Sequence, residues 1–213
     1  MNRGDLIDQR LSDYSAAHTT AESDFLKKIN RDTHANVLKP RMLSGHLQGR
    51  LLSMISHMIR PSSILEIGTY TGYSAICLAE GLKPGGKLIT IDRNEELETK
   101  LRSYFKTAGL ENKIDLRIGN ALKIIPTLDQ TFDLVFIDAD KENNSSYFDL
   151  VIEKVPSGGY ILADNVLWSG KVIDQTDKDT RAVTAFNDKV HNDRRVENVL
   201  LPVRDGIMIM RKL

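Results

Sequence analysis

Ile64-Leu65-Glu66-Ile67-Gly68-Thr69-Tyr70-Thr71-Gly72-Tyr73-Ser74 decides how the chain is read. An apolar run ends at an acidic residue, and two glycines with three residues between them lead into a helix-like segment. The pattern is strand, tight turn, helix start. Glycine lets backbone approach a ligand closely, and the first turn of a helix offers unpaired N–H groups. The turn lacks the G-x-G-x-x-G spacing of a dinucleotide site. Glu66 would repel a pyrophosphate but would hold an ammonium group. An ordinary strand-to-helix turn of an α/β protein carries similar glycines, so the remaining strand ends have to be read with it.

Downstream of this stretch, strands and helices alternate. Strand 64–67 leads to helix Tyr73–Leu82, strand Leu88–Asp92 to helix Glu95–Ala108, and strand Ile114–Ile118 to a short helix near Leu122–Leu128. Strand Phe132–Asp138 leads to helix Asn144–Val155, and strand Tyr160–Asp164 leads through a loop to helix Thr180–Asn192. Most of these strands are near-continuous apolar runs, which implies a parallel sheet covered on both faces. Two final strands, Val196–Pro202 and Gly206–Arg211, meet at Arg204-Asp205 with no helix between, so an edge strand is expected to run antiparallel. Upstream, Asp5–Ala17, Ala21–Thr33 and His46–Ile59 carry apolar residues at helical spacing, and Ser44 is placed to cap the third. The chain reads as one α/β domain over 1–213, with a helical cap at 1–60 and an α/β core at 61–213.

Composition narrows the partners. The 213 residues suit a single sizeable core. Lysine plus arginine equals aspartate plus glutamate at 29 each, which argues against a nucleic-acid or anionic-membrane partner. Cys77 is the single cysteine, so no internal disulfide forms and a reducing, cytoplasmic setting is expected. It reads as a small buried apolar residue. No apolar run reaches about 18 residues, so no membrane span is expected.

In an open parallel sheet, ligands bind beyond the carboxyl ends of the strands. Glu66 and Gly68 end the first strand. Asp92 ends the second, 24 residues past Gly68, where an acidic residue bonds ribose hydroxyls in nucleotide-binding α/β folds. Asp92 also suits a helix cap, and both roles can coexist. The small residues Gly119-Asn120-Ala121 end the third strand and leave room for an adenine ring. A ligand with adenosine at one end and an amino acid at the other, S-adenosylmethionine, fits this set. The fourth strand ends in Asp138-Ala139-Asp140-Lys141 and the fifth in Asp164-Asn165. Neighbouring strands lie roughly 5 Å apart. Asp138, Asp164 and Asn165 can therefore converge on one cation, and their hard oxygen donors select magnesium, calcium or manganese over zinc or copper. Lys141 beside such a cation would be pushed toward its neutral form and would serve as base or substrate-orienting group. Trp168, the only tryptophan, would stack on an aromatic substrate or cover the site. His46 is placed to face the cofactor; no histidine is assigned a catalytic role.

Three stretches, Glu66–Ser74, Phe136–Lys141 and Asp164-Asn165-Val166-Leu167-Trp168, resemble the cation-dependent O-methyltransferases, the family of catechol and caffeoyl-CoA O-methyltransferases. Pro202–Gly206 looks like the family's C-terminal hairpin. The resemblance implies a Rossmann-like methyltransferase fold with a mostly parallel seven-stranded sheet. It further implies that Met42, Ser44, Glu66, Gly68, Thr69, Tyr70, Ser74, Asp92, Ala121, Asp138 and Asp140 line the S-adenosylmethionine site. It implies that Asp138, Asp164 and Asn165 hold Mg2+, or another divalent cation such as Mn2+ or Ca2+. Lys141 matches the catalytic lysine, working with Asp138, and Lys141 and Trp168 meet the substrate. Ser169 stands where plant caffeoyl-CoA enzymes usually have asparagine, and no long aromatic-rich insertion follows Trp168, so the expected acceptor is a small aromatic, catechol-like hydroxyl compound. A homodimer is implied as well. The competing expectation is a tRNA wobble 5-hydroxyuridine O-methyltransferase, for which Lys27, Lys28, Arg31, Lys39 and Arg41 would supply a basic cluster.

Overall fold

A computed structural model describes residues 7–174 and 177–213. The start of the first expected helix, at Asp5 and Leu6, lies outside the described residues. The elements are α1 (Gln9–Ala17), α2 (Asp24–Asn36), α3 (Gly45–Ile59), β1 (Ser63–Ile67), α4 (Tyr73–Ala79), β2 (Lys87–Asp92), α5 (Glu98–Thr107), β3 (Ile114–Ile118) and α6 (Ala121–Ile124). They continue with β4 (Leu134–Ile137), α7 (Asn144–Ile152), β5 (Tyr160–Asp164), α8 (Lys178–Asn192), β6 (Val196–Leu201) and β7 (Ile207–Lys212). The seven strands form one sheet in the order β3-β2-β1-β4-β5-β7-β6, parallel except at β7, which is antiparallel to both β5 and β6. The edge strand β6 is thus antiparallel to its only neighbour, as expected, and β7 is the reversed strand inserted beside β5.

Side chains alternate across this sheet. Leu65, Ile67, Ile89, Ile91, Val135, Ile137 and Ile161 face α6, α7 and α8, whereas Ile64, Leu88, Leu134, Phe136 and Leu162 face α3, α4 and α5. Strands buried on both faces need the continuous apolar runs seen in the sequence, each buried Leu, Ile or Phe contributing about 1.5–3 kcal/mol. Helix α3 packs against α4, with Leu52 and Ile55 in the same core as the sheet.

Several element ends differ from the sequence reading. The strand expected over 132–138 is paired only over Leu134–Ile137, because Phe132 and Asp133 lead in through isolated backbone bonds to Lys154 and Ser63. The helix from Tyr73 stops at Ala79, and a 3-10 turn over Glu95–Leu97 precedes α5. Ser44 stands at the N-cap position of α3 but caps nothing. Its backbone is already helical (φ −56°, ψ −40°), and a capping side chain needs extended backbone to reach the free amides. The effective caps are Asp8 for α1, Ser23 for α2, Asn120 for α6 and Asp177 for α8.

Candidate active site

The strand order reverses between β1 and β4, so the carboxyl ends of β1, β2, β4 and β5 share one rim. On that rim Gly68 adopts φ +102°, and a Cβ there would stand 2.0 Å from the Asp138 backbone oxygen. Only glycine permits the β1 turn and the β4 end to approach this closely. Gly72 (φ +78°) then turns the chain into α4.

Glu66 is fully buried on the α3–α4–α5 face. The β1–β2 register sets it beside Thr90, whose hydroxyl donates to Glu66 Oε2 and is bonded in turn to Thr69 Oγ1. Glu66 Oε1 is buried without a partner, so the cradle holds one unused acceptor. Burial above all, with Asp138 and Asp92 adding like charge, pushes this carboxyl up to about 8 against the Ser74 and Thr90 hydroxyls. The unfolded chain titrates the same group near about 4.3. Between these values the folded state keeps a proton that the unfolded state has lost, so stability falls as pH rises through the window. Replacing Glu66 with glutamine removes that dependence. The ligand-free variant should lose less Tm than wild type between about pH 5 and about pH 8; equal losses in both proteins would contradict it.

Asp92 holds the glycine turn itself. Its Oδ2 accepts from the Thr69 and Tyr70 amides at 3.0 and 2.7 Å, and its Oδ1 accepts from the Asn94 amide at 2.9 Å. Met42, Leu43, Ser44, Gly68, Thr69, Tyr70, Thr71, Tyr73, Ser74 and Asp138 line a pocket over the turn. A larger cavity, about 630 Å³, lies at the opposite edge, where Asp133, Gly159 and Tyr160 begin β4 and β5. It contains none of the expected site residues, and the strand-end rule places chemistry at the other rim.

The β4–β5 register pairs Ile137 with Ala163, so Asp138 and Asp164 leave adjacent strands side by side. Lys141, whose side chain is 8% exposed, places its Nζ 3.2 Å from Asp138 Oδ1 and 3.2 Å from the Asp164 carbonyl oxygen. Burial, together with Asp164, pushes the Asp138 carboxyl up to about 6, while Lys141 and Arg204 oppose the rise. Asp164 is 3% exposed; its Oδ1 accepts from the Asn165 amide and its Oδ2 from Gln48 Nε2 at 2.7 Å. Asn165 itself is left-handed, at φ 57°. The structure thus brings Asp138, Asp164 and Lys141 to one place, with Asn165 the next residue after Asp164. Among the described residues no group of three or more His, Cys, Asp or Glu side chains is placed to hold a metal ion.

Asp140 accepts from Tyr147 OH at 2.7 Å and from Asn143 Nδ2. Ala121 opens α6 behind the Asn120 cap. Trp168 and Ser169 are both left-handed and begin a 3-10 stretch after β5. His46 does not face the pocket: its Nε2 is bonded to the Thr20 carbonyl oxygen. Cys77 is buried, and burial pushes its thiol up to about 12, so it is inert as expected. Lys27 and Lys28 form solvent-exposed ion pairs with Asp24 and Asp32. Among the described residues no helix is long and apolar enough to cross a membrane.

The sequence reading does not include Thr90 or Gln48, and it places Arg204 and Asp205 only in a hairpin turn, with no role at the site. Thr90 was discoverable, since pairing two recognised strands sets it beside Glu66. The other three act across more than a hundred positions or within a hairpin turn, and nothing local marks them.

A family model described as O-methyltransferase matches residues 14–213. The caffeoyl-CoA O-methyltransferase of Medicago sativa is 35% identical over 180 residues, covering 78% of this chain and 73% of that protein. Caffeoyl-CoA O-methyltransferase 2 of Eucalyptus globulus is 37% identical over 180 residues with the same coverage. The crystal structure of the O-methyltransferase from Bacillus cereus in complex with SAH aligns with a TM-score of 0.87 at 30% identity, covering 95% of this chain and 97% of that one. The turn around Gly68, the paired strand ends at Asp138 and Asp164, and these likenesses over almost the whole length converge: the chain belongs to the O-methyltransferase family.

Proposed function

We propose that this protein is an S-adenosylmethionine-dependent, divalent-cation-dependent O-methyltransferase acting on one hydroxyl of a vicinal pair on a small aromatic ring. The observation that carries this reading is the meeting of Lys141 with Asp138 and Asp164 at the strand ends beside the Glu66–Gly68 turn. Both groups fit the residues present. The orphaned, buried Glu66 Oε1 suits the ammonium of an amino-acid moiety, and the turn at Gly68 admits no side chain. Asp138, Asp164 and Asn165 offer hard oxygens, and so sparse a set suits magnesium, which keeps several waters. The lysine ammonium already seated between Asp138 and Asp164 supports a positive charge being held at this point.

When bound, S-adenosylmethionine supplies an electrophilic methyl and the cation lowers the pKa of the acceptor hydroxyl. The chain does the rest. Glu66, Asp92 and the wall formed by Met42, Ser44, Thr69, Tyr70 and Ser74 orient the methyl donor, with Ala121 and Asp140 at its adenosine end. Lys141 takes or positions the proton of the attacking oxygen, and Trp168 lies against the aromatic ring. Fixing both reactants in attack geometry is worth about 7–11 kcal/mol. The homodimer and the cytoplasmic setting belong to the same proposal.

The test is methyl transfer to a catechol panel, with S-adenosylmethionine as donor. Activity should vanish with a chelator and return on adding excess Mg2+. Undiminished turnover in the chelator would remove the cation from the reading, and methylation of tRNA in preference to every catechol would replace the acceptor.

A further inference from the structure

We propose that Gln48 and Arg204 are positioning residues that aim the Asp164 carboxylate at the cation and tie the β6–β7 hairpin to the cofactor-side wall. The inference rests on the functional reading above and deepens it.

Gln48 lies on α3, is 1% exposed, and is packed into the fold where a polar amide is costly unless satisfied. Both its ends are satisfied. Nε2 donates to Asp164 Oδ2 at 2.7 Å, and Oε1 accepts from Arg204 Nη1 at 2.8 Å. The same Arg204 nitrogen donates to the Leu43 carbonyl at 3.1 Å and to the Ser44 carbonyl, in the segment that lines the pocket over Gly68. Arg204 holds this position from a left-handed backbone (φ 51°), a conformation a non-glycine residue keeps only where contacts enforce it.

The next residue continues the arrangement on the acceptor side. Asp205 accepts from the Ser169 amide through its side chain and from the Leu167 amide through its backbone carbonyl at 2.9 Å. One turn therefore joins the cofactor wall, the Asp164 ligand and the Trp168–Ser169 segment. Each Asp164 oxygen accepts one hydrogen bond, from Asn165 N or from Gln48, and keeps a lone pair for an ion. The amide bond from Gln48 fixes which way that lone pair points. Partners of this kind are typically worth about 10–100-fold in metal affinity.

Calorimetric titration of the full chain with Mg2+ alone, and separately with S-adenosylhomocysteine alone, tests the assignment. Q48L and Q48E should each weaken Mg2+ binding by about tenfold or more while S-adenosylhomocysteine binding without metal stays within about twofold of wild type. Q48E keeps the acceptor for Arg204 and the side-chain volume, so it decides the matter if Q48L does not fold. R204M should weaken both ligands, and R204K, whose ammonium has three donors on one nitrogen, should restore most of the loss. Mg2+ affinity within about twofold of wild type in both Gln48 variants would overturn the assignment. A wild-type protein that binds no divalent cation would instead overturn the functional reading on which it stands.

Discussion

Asp138→Ala should lower kcat/KM on the order of 10³-fold or more while leaving the protein folded. On the proposed reading two contributions disappear together: an oxygen donor to the cation, and the partner that holds Lys141 Nζ at 3.2 Å. A cation stabilises a developing oxyanion by several kcal/mol, and about 4 kcal/mol corresponds to 10³ in rate. The fold is expected to survive because the carboxyl is not a stabilising group in the ligand-free state. Burial and Asp164 hold its pKa at about 6, above its ordinary value, so its ionisation at neutral pH opposes folding. The second contact of Lys141, to the Asp164 carbonyl, also remains. Turnover with a catechol and thermal unfolding measured on the same preparation give the answer. A loss of less than about tenfold would mean that Asp138 is not part of the reaction.

Gly68→Ala should be the most damaging single-methyl change for stability. The added Cβ would meet the Asp138 backbone oxygen at 2.0 Å and its carbonyl carbon at 2.6 Å, and neither atom belongs to a flexible side chain. The backbone at φ +102° adds a second cost. A strained residue costs about 1–3 kcal/mol and overpacking about as much again, which sums to about 2–6 kcal/mol. For a domain of this size each kcal/mol lowers Tm by about 2–4 °C, so a fall of roughly 4–24 °C is expected. Gly85→Ala is the internal comparison: its φ is also positive, but nothing lies within 4 Å, so only the backbone cost applies. Equal Tm losses for the two variants would show that the contact with Asp138 is not what requires glycine at position 68.

Most of the scaffold was legible because it is local. Short near-continuous apolar runs such as 64–67 and 134–137, bounded by turn residues, read as strands covered on both faces, and the glycine turns and helical spacings between them set the alternation. The strand-end rule then picked out Glu66, Asp92, Asp138, Asp164 and Asn165 without knowledge of their neighbours. Errors arose where tertiary contact competes with local chemistry. Ser44 has the composition of a cap, yet its backbone is already helical and its carbonyl is taken by Arg204. His46 lies near the pocket in sequence, but its ring is bonded to Thr20.

From the chain alone came the fold class, the family resemblance and the identity of the rim residues, because hydrophobic period, glycine spacing and strand-end chemistry are encoded over short stretches. The tertiary structure alone decided that Glu66 is sealed beside Thr90 with an unused oxygen, that Lys141 spans Asp138 and Asp164, and that a hairpin turn near the C-terminus reaches α3. These depend on strand order, on register and on the long reach of arginine and glutamine side chains. The first two join residues within about 25 positions through strand pairing and a loop, and the third joins residues more than a hundred positions apart, which no local pattern records.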